Sequence, residues 1–349
     1  MRYSAAFLSY IMHWMVPRPG LTLLVLVVPL SLLSSISQGQ LPGDPQHSSI
    51  QKLAYEAGWY ADYGRGYSMV ESLADAGAGS IRSTIYVRDP FESKPREIAE
   101  GEFPTWSPDG SSLAYCTRDG NFYGQIRIVN ADGKGNRKLT HLKSGACFPE
   151  WSPDGKEMVI TLIEGISTRL AIVDQNGTFL RELGDGRTAH WSPDGKQLVF
   201  LRPISRLKQG SSIWIMRADG SEAREILEDG SRTVQAVWLP DGEGILFTSQ
   251  REGTSAAFTV GLDGKNVRKL GADPLMNWFH PVLSPDGKSL LVESATLPDA
   301  NPRMVSVVQI DAATRRAKML AAGNHFSVLW GQTVEPKAQQ VEKNPPLAH

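Results

Sequence analysis

An excess of charge of one sign is missing from this sequence and cysteine is scarce, and each shortage removes a class of function. Lys plus Arg number 36 and Asp plus Glu 37, a formal net charge of −1 over 349 residues. There is therefore no global basic footprint of the kind nucleic-acid binding needs, and no nucleic-acid partner is expected. Two cysteines, Cys116 and Cys147, are too few for a disulfide framework or a cysteine-built zinc site. Seven histidines are present, but none are paired at His-x-x-x-His spacing, and His141, His190, His280 and His325 stand at different offsets from the neighbouring tryptophans. No metal or other cofactor is expected from such a set. Asp174-Gln-Asn-Gly177 lacks the further oxygen ligands of a calcium loop and reads as a turn. No Gly-x-Ser-x-Gly elbow occurs, which removes the α/β-hydrolase type of serine chemistry.

What is present is a repeated pentapeptide. Trp-Ser-Pro-Asp-Gly stands at Trp106–Gly110, Trp151–Gly155 and Trp191–Gly195, and in altered form at Trp238–Gly242 and Leu283–Gly287. Proline presets φ for the first central position of a turn, aspartate bonds back to local backbone, and glycine accepts the left-handed conformation by which the chain leaves. An alternating apolar stretch follows each copy, so each reads as a hairpin with a large ring just before its turn. Asp109, Asp154, Asp194, Asp241 and Asp286 are accordingly turn residues rather than a carboxylate ring. Trp106, Trp151, Trp191 and Trp238 are packing plates between sheets.

The copies are separated by 45, 40, 47 and 45 residues, and Trp330 follows Leu283 by 47. A period in the forties with several short strands per unit predicts propeller blades. Gln51–Tyr55 matches a second strand with no first strand before it, while Phe326–Trp330 matches a first strand with no blade after it. The two ends should pair. The expected fold is all-β: a six-bladed propeller of four-stranded antiparallel blades over residues 50–334, closed by the C-terminal strand.

The Trp-Ser-Pro-Asp-Gly hairpin with its apolar second strand resembles the repeat of the TolB-type propellers, to which the propellers of prolyl oligopeptidases and oligogalacturonate lyases are also similar. The resemblance implies a periplasmic envelope role, with protein or envelope components as partners. Only a short linker is read before the first blade, so no counterpart of the separate N-terminal domain of TolB is expected. The clustered metal-binding histidines of the lyases have no match either.

Outside the repeat, residues 1–37 read as a signal peptide, with the apolar core Leu21–Leu33 behind Arg18 and small residues after it; an uncleaved membrane anchor is the alternative. Translation from Met15 would give a leader of ordinary length. Residues 38–49 read as a linker and 335–349 as a disordered tail. The mature chain is expected to be periplasmic or secreted, touching a membrane only through an uncleaved leader. In that compartment Cys116 and Cys147 fit either a bridge between neighbouring blades or two buried thiols.

For function, the two tight turns of each blade share one face and are near copies, whereas the opposite face carries varied loops. An insertion at 56–82, rich in rings and glycine, belongs to that loop face. Trp59, Tyr60, Tyr63, Arg65 and Tyr67, with Arg202, Arg206, Arg251, Trp278 and His280, are the candidate partner-binding residues, since partner surfaces favour aromatics and Arg. No catalytic residue is assigned. The expectation is an exported, non-catalytic scaffold, and the alternative is a carbohydrate-active lyase or hydrolase with its site at the channel mouth.

Overall fold

The computed structural model describes residues 50–57, 83–88, 94–118, 124–204, 210–228, 231, 233–271, 273, 276–296 and 305–330. The expected leader, linker, most of the aromatic insertion and the C-terminal tail lie outside the described residues. Twenty-four strands occur among the described residues. The first three are β1 (Ile50–Ala57), β2 (Thr84–Arg88) and β3 (Arg96–Glu100). One full set is β4 (Glu102–Trp106), β5 (Ser112–Arg118), β6 (Gly124–Asn130) and β7 (Arg137–Lys138). Next are β8 (Gly145–Trp151), β9 (Glu157–Glu164), β10 (Ser167–Asp174) and β11 (Phe179–Asp185). The fourth set is β12 (Arg187–Trp191), β13 (Gln197–Pro203), β14 (Ser211–Arg217) and β15 (Arg224–Glu228). The fifth is β16 (Thr233–Trp238), β17 (Gly244–Glu252), β18 (Thr254–Gly261) and β19 (Arg268–Gly271). The last are β20 (Met276–Leu283), β21 (Ser289–Thr296), β22 (Val305–Asp311), β23 (Ala317–Ala322) and the closing strand β24 (Asn324–Trp330).

Five sheets take their four strands in chain order, and the sixth runs β24-β1-β2-β3. The two ends of the described chain thus meet in one blade, with Leu53 opposite Val328 and Ala54 opposite Ser327. Pairing with β24 covers the edge that β1 would otherwise leave open, which removes one template for edge-to-edge aggregation. The apolar core is six separate clusters rather than one. Each joins neighbouring blades: Trp106 packs with Ala54 and Ile85, Trp151 with Ala114 and Ile126, Trp191 with Val159 and Leu170, and Trp238 with Val199 and Ile213. Large rings at blade seams are why the repeat carries tryptophan before its turn.

The serine of the repeat has its own task, which the turn reading had left to proline, aspartate and glycine. Ser107 donates its hydroxyl to Asp109 at 2.6 Å and accepts the Ser112 N–H at 3.0 Å, so one side chain ties both arms of the turn. Ser152 with Asp154, Ser192 with Asp194 and Ser284 with Asp286 repeat the bond at 2.7, 2.7 and 2.5 Å. These hydroxyls are the first cause holding the Asp109, Asp154 and Asp194 carboxyls below the usual range, Asp154 at about 2. Where Leu239 replaces the serine, Asp241 accepts the Glu243 N–H at 2.9 Å.

The innermost strands are bulged. Pairing slips between Glu102 and Thr105, Cys147 and Glu150, Arg187 and His190, Thr233 and Ala236, and Phe279 and Val282. In four of them the residue three before the motif Trp or Leu is left-handed: Phe103 and Phe148 at φ 54°, Thr188 at 47° and His280 at 48°. A bulge re-aims the side chains beside it. Here those side chains line the ring axis.

Candidate functional site

The innermost strands β4, β8, β12, β16, β20 and β24 together enclose a cavity of ≈ 340 Å³ on the propeller axis. That volume is at the lower end of the roughly 300–1,000 Å³ typical of ligand sites. The wall reaches from the bulge residues to the turn prolines Pro153 and Pro193, so it occupies the part of the channel nearer the tight turns. Its aromatic lining includes Phe103, Phe148, Trp151, Trp191, Trp238 and Phe326. Phe103 and Phe148 tilt against each other with ring centroids 4.3 Å apart.

A row of polar side chains crosses this apolar wall from blade to blade. Thr105 Oγ1 donates to Glu150 Oε2 at 3.3 Å, His190 Nδ1 lies 3.7 Å from Glu150 Oε1, and Gln235 Nε2 meets His190 Nε2 at 2.8 Å. With the amide as donor there, Nε2 accepts and the ring proton sits on Nδ1, facing Glu150. Trp191 Nε1 donates to the Glu150 carbonyl at 3.2 Å and pins the strand that carries it. Among the described residues Gln235 Oε1, Thr188 Oγ1 and the Nε1 groups of Trp151 and Trp238 are buried with no hydrogen-bond partner. On the opposite wall His280 Nδ1 lies 2.7 Å from an oxygen of Glu293, a carboxylate only 2% exposed. Among the described residues the lining holds one carboxylate, Glu150, and no Lys or Arg.

Four residues of the expected partner-binding set, Arg202, Arg251, Trp278 and His280, fall among the described residues. Trp59, Tyr60, Tyr63, Arg65, Tyr67 and Arg206 lie outside the described residues. Arg202 rests over Trp214, 4.2 Å from the ring centroid, and donates to the Asp185 carbonyl at 2.9 Å. Arg251 lies over Phe258 at 5.4 Å. Both sit toward the ends of second strands, outside the cavity lining. Trp278 is buried among Leu246, Ala257 and Leu290, and its position is therefore a packing one rather than a surface one. His280 turns into the cavity instead of the loop face. Of the other histidines, His190 joins it there and His141 is exposed. No group of three or more His, Cys, Asp or Glu is placed to hold a metal among the described residues. Cys116 on β5 and Cys147 on β8 form a disulfide between adjacent blades, with Cα atoms 5.2 Å apart.

The polar row had no motif to announce it. A signal for three of its members lay in the position just before the motif tryptophan, which reads Thr105, Glu150 and His190 while the tryptophan stays the same; the fourth copy has Val237 there, and Gln235, three residues before Trp238, joins the row instead. Variation at a fixed offset inside an invariant frame marks residues freed from the fold.

Comparison with known proteins finds likenesses of sequence over part of the chain and of fold over most of it. Residues 184–328 match the TolB beta propeller domain family. A stretch of 121 residues, 34% of the chain, is 33% identical to the Tol-Pal system protein TolB of Anaeromyxobacter dehalogenans and covers 27% of that relative's length. The chain therefore matches about a quarter of that protein. Among solved structures, TolB from Acinetobacter baumannii superposes over 80% of the chain and 66% of its own, with TM-score 0.59 and 18% identity. A protein assigned as TolB from Agrobacterium tumefaciens superposes over 79% and 92%, with TM-score 0.56 and 20% identity. At these identities the structural likeness is one of fold.

Proposed function

Starting from a six-bladed β-propeller whose residues 184–328 match the TolB beta propeller domain family, we propose that the chain is an exported, non-catalytic scaffold that binds a protein or another cell-envelope component, receiving a projecting segment of that partner in the axial cavity. The observation that carries this is the cavity wall: rings and prolines from six blades, interrupted by one polar row. Aromatic lining with a few fixed polar groups is the composition of a recognition site. Arg202 and Arg251, with the insertion that carries Trp59, Tyr60, Tyr63, Arg65 and Tyr67, form a second contact region on the loop face. Export is supported by the interblade disulfide, since such bridges persist in oxidising compartments. An envelope partner is supported by the relative that is named a Tol-Pal system protein.

The alternative, a carbohydrate-active enzyme, draws on Glu150 and His190 meeting in one cavity. Glycoside hydrolysis ordinarily needs two carboxylates flanking the bond. Glu150 is the one carboxylate of the described lining, and Glu293 lies buried behind His280. Lys or Arg side chains suited to holding the carboxylates of an acidic sugar are missing from the lining among the described residues. The scaffold reading is therefore the one we adopt.

A photo-crosslinking amino acid placed at Val237, on the cavity wall, tests it in cells against the same residue at Met319, exposed on the outermost strand of its blade. A discrete adduct from Val237 and none from Met319 is expected. Equal labelling from both positions, or depolymerisation of a polysaccharide by the purified protein, would overturn the proposal.

A further inference from the structure

The chemistry of the wall narrows what enters it. Among the described residues two acceptors of the wall are under-satisfied: the Glu150 carboxylate meets the Thr105 hydroxyl and lies 3.7 Å from the His190 imidazole, and Gln235 Oε1 is buried without a donor, beside the unpaired donors Trp151 Nε1 and Trp238 Nε1. No lysine or arginine of the described lining neutralises Glu150. Among the described residues its one ion-pairing neighbour is His190, at 3.7 Å. A carboxylate on an apolar wall is costly unless something pairs with it. Its side chain is 34% exposed, so solvent screens it while the cavity is open and an occupant would remove that screening.

The rings beside it add to the same preference. Phe148, Trp151 and Trp191 flank Glu150 along the chain or across the seam, and their faces carry the negative side of the ring quadrupole. Cations are attracted to such faces, by about 0.5–2 kcal/mol each depending on desolvation. A ligand satisfying this wall donates several N–H groups, carries a positive charge and has an apolar stem. Neutral donors would leave Glu150 unpaired, and anions would be repelled by it.

We propose that the axial cavity is selective for a cationic side chain, the ammonium of a lysine or the guanidinium of an arginine, presented by the protein segment that enters it. Glu150 pairs with the charge, Gln235 Oε1 accepts a further N–H, and the aromatic wall covers the stem. This rests on the binding role proposed above and specifies its ligand class. Cavity selectivity would also explain why Glu150 is held from both sides, by Thr105 on its carboxylate and by Trp191 on its carbonyl.

The probes are three small molecules of nearly one shape: n-butylguanidinium, its neutral counterpart n-butylurea, and n-pentanoate. Each is titrated into the purified protein and followed by the fluorescence of the cavity tryptophans and by ligand-observed NMR. Butylguanidinium should saturate and bind at least about tenfold more tightly than butylurea, with pentanoate weakest. In Glu150→Gln, a nearly isosteric change whose folding is checked by its melting temperature, that preference should fall to about twofold or less. Butylurea or pentanoate binding as well as butylguanidinium to the unaltered protein overturns the cationic preference while leaving the cavity a binding site. Preference retained in Glu150→Gln overturns the role of Glu150. Failure of all three to bind up to their solubility limits overturns the cavity as a ligand site, and the proposed function with it.

Discussion

Phe326 lies in the seam where the two ends of the described chain meet, and its removal gives a measurable test of how the ring is held shut. It packs in a cluster with Leu53, Tyr55, Leu291 and Val307, and its strand β24 continues the sheet of β1. Ser327 beside it accepts the Trp106 N–H at 3.1 Å, tying the closing strand to the next blade. At 9% exposure the ring is almost wholly buried, and truncating such a phenylalanine to alanine typically costs about 3–5 kcal/mol. Taking about 3 kcal/mol, and an unfolding entropy of roughly 0.6 kcal/mol/K for a body of about this length, the melting temperature of Phe326→Ala should fall by about 5 °C. Met319→Ala is the control: it removes a side chain of similar size that is 66% exposed on the outermost strand β23, and should change stability by less than about 0.5 kcal/mol. Scanning calorimetry and urea titration of both variants decide the matter. If the two substitutions cost the same, the seam is not what closes the propeller and the reasoning fails.

Three further outcomes are expected. Replacing Cys116 and Cys147 together by serine should cost roughly 3–4 kcal/mol, from the loop that the bridge closes across 31 residues, and reductant should then lower the urea midpoint of the parent but not of the double variant. Because the Asp109, Asp154 and Asp194 carboxyls are held below their unfolded range, their stabilising contribution is present above about pH 4 and is lost as pH falls through their folded values, about 2 for Asp154; Ser152→Ala should flatten that acid limb in pH-dependent unfolding. Gly177 has φ 85° and a side chain there would drive into the Leu139 carbonyl, so Gly177→Ala should destabilise by more than about 1 kcal/mol, whereas Gly253→Ala, with open space around it, pays only backbone strain in the same unfolding assay.

The repeat made the scaffold readable for a physical reason: each blade solves the same local problem, so turn chemistry, alternation and the seam tryptophan recur at fixed offsets. Closure could be read because Gln51–Tyr55 and Phe326–Trp330 are complementary fragments of one such solution. The cavity was harder. Its residues are adjacent in space but about 40 positions apart in sequence, as Glu150, His190 and Gln235 are. Trp278 misled the surface reading because an aromatic far from the motif looks free to face outward. Leu283 holds the motif position of its blade, and Trp278, five residues earlier in β20, belongs to the same seam cluster, supplying the ring that the leucine lacks. His280 seemed a loop residue because only the bulge, with its left-handed φ of 48°, turns it toward the axis.

That bulge ties the architecture to the proposed site. A left-handed backbone costs a residue with a Cβ roughly 1–2 kcal/mol, and here it recurs at Phe103, Phe148, Thr188 and His280, none of which is glycine. Glycine would relieve the strain but would give up a side chain, and three of these positions carry a ring. The fold keeps ring and strain together because the bulge is what points Phe103, Phe148 and His280 at the axis, while the tryptophans three residues on from Phe103 and Phe148 still reach their seams. One slip of register in each of β4, β8, β12, β16 and β20 thus lets the same few residues serve two surfaces. The seam side is repeated because every blade must pack on the next. The axial side is free to vary, and Thr105, Glu150, His190 and Gln235 use that freedom to build a polar row that no single blade could hold.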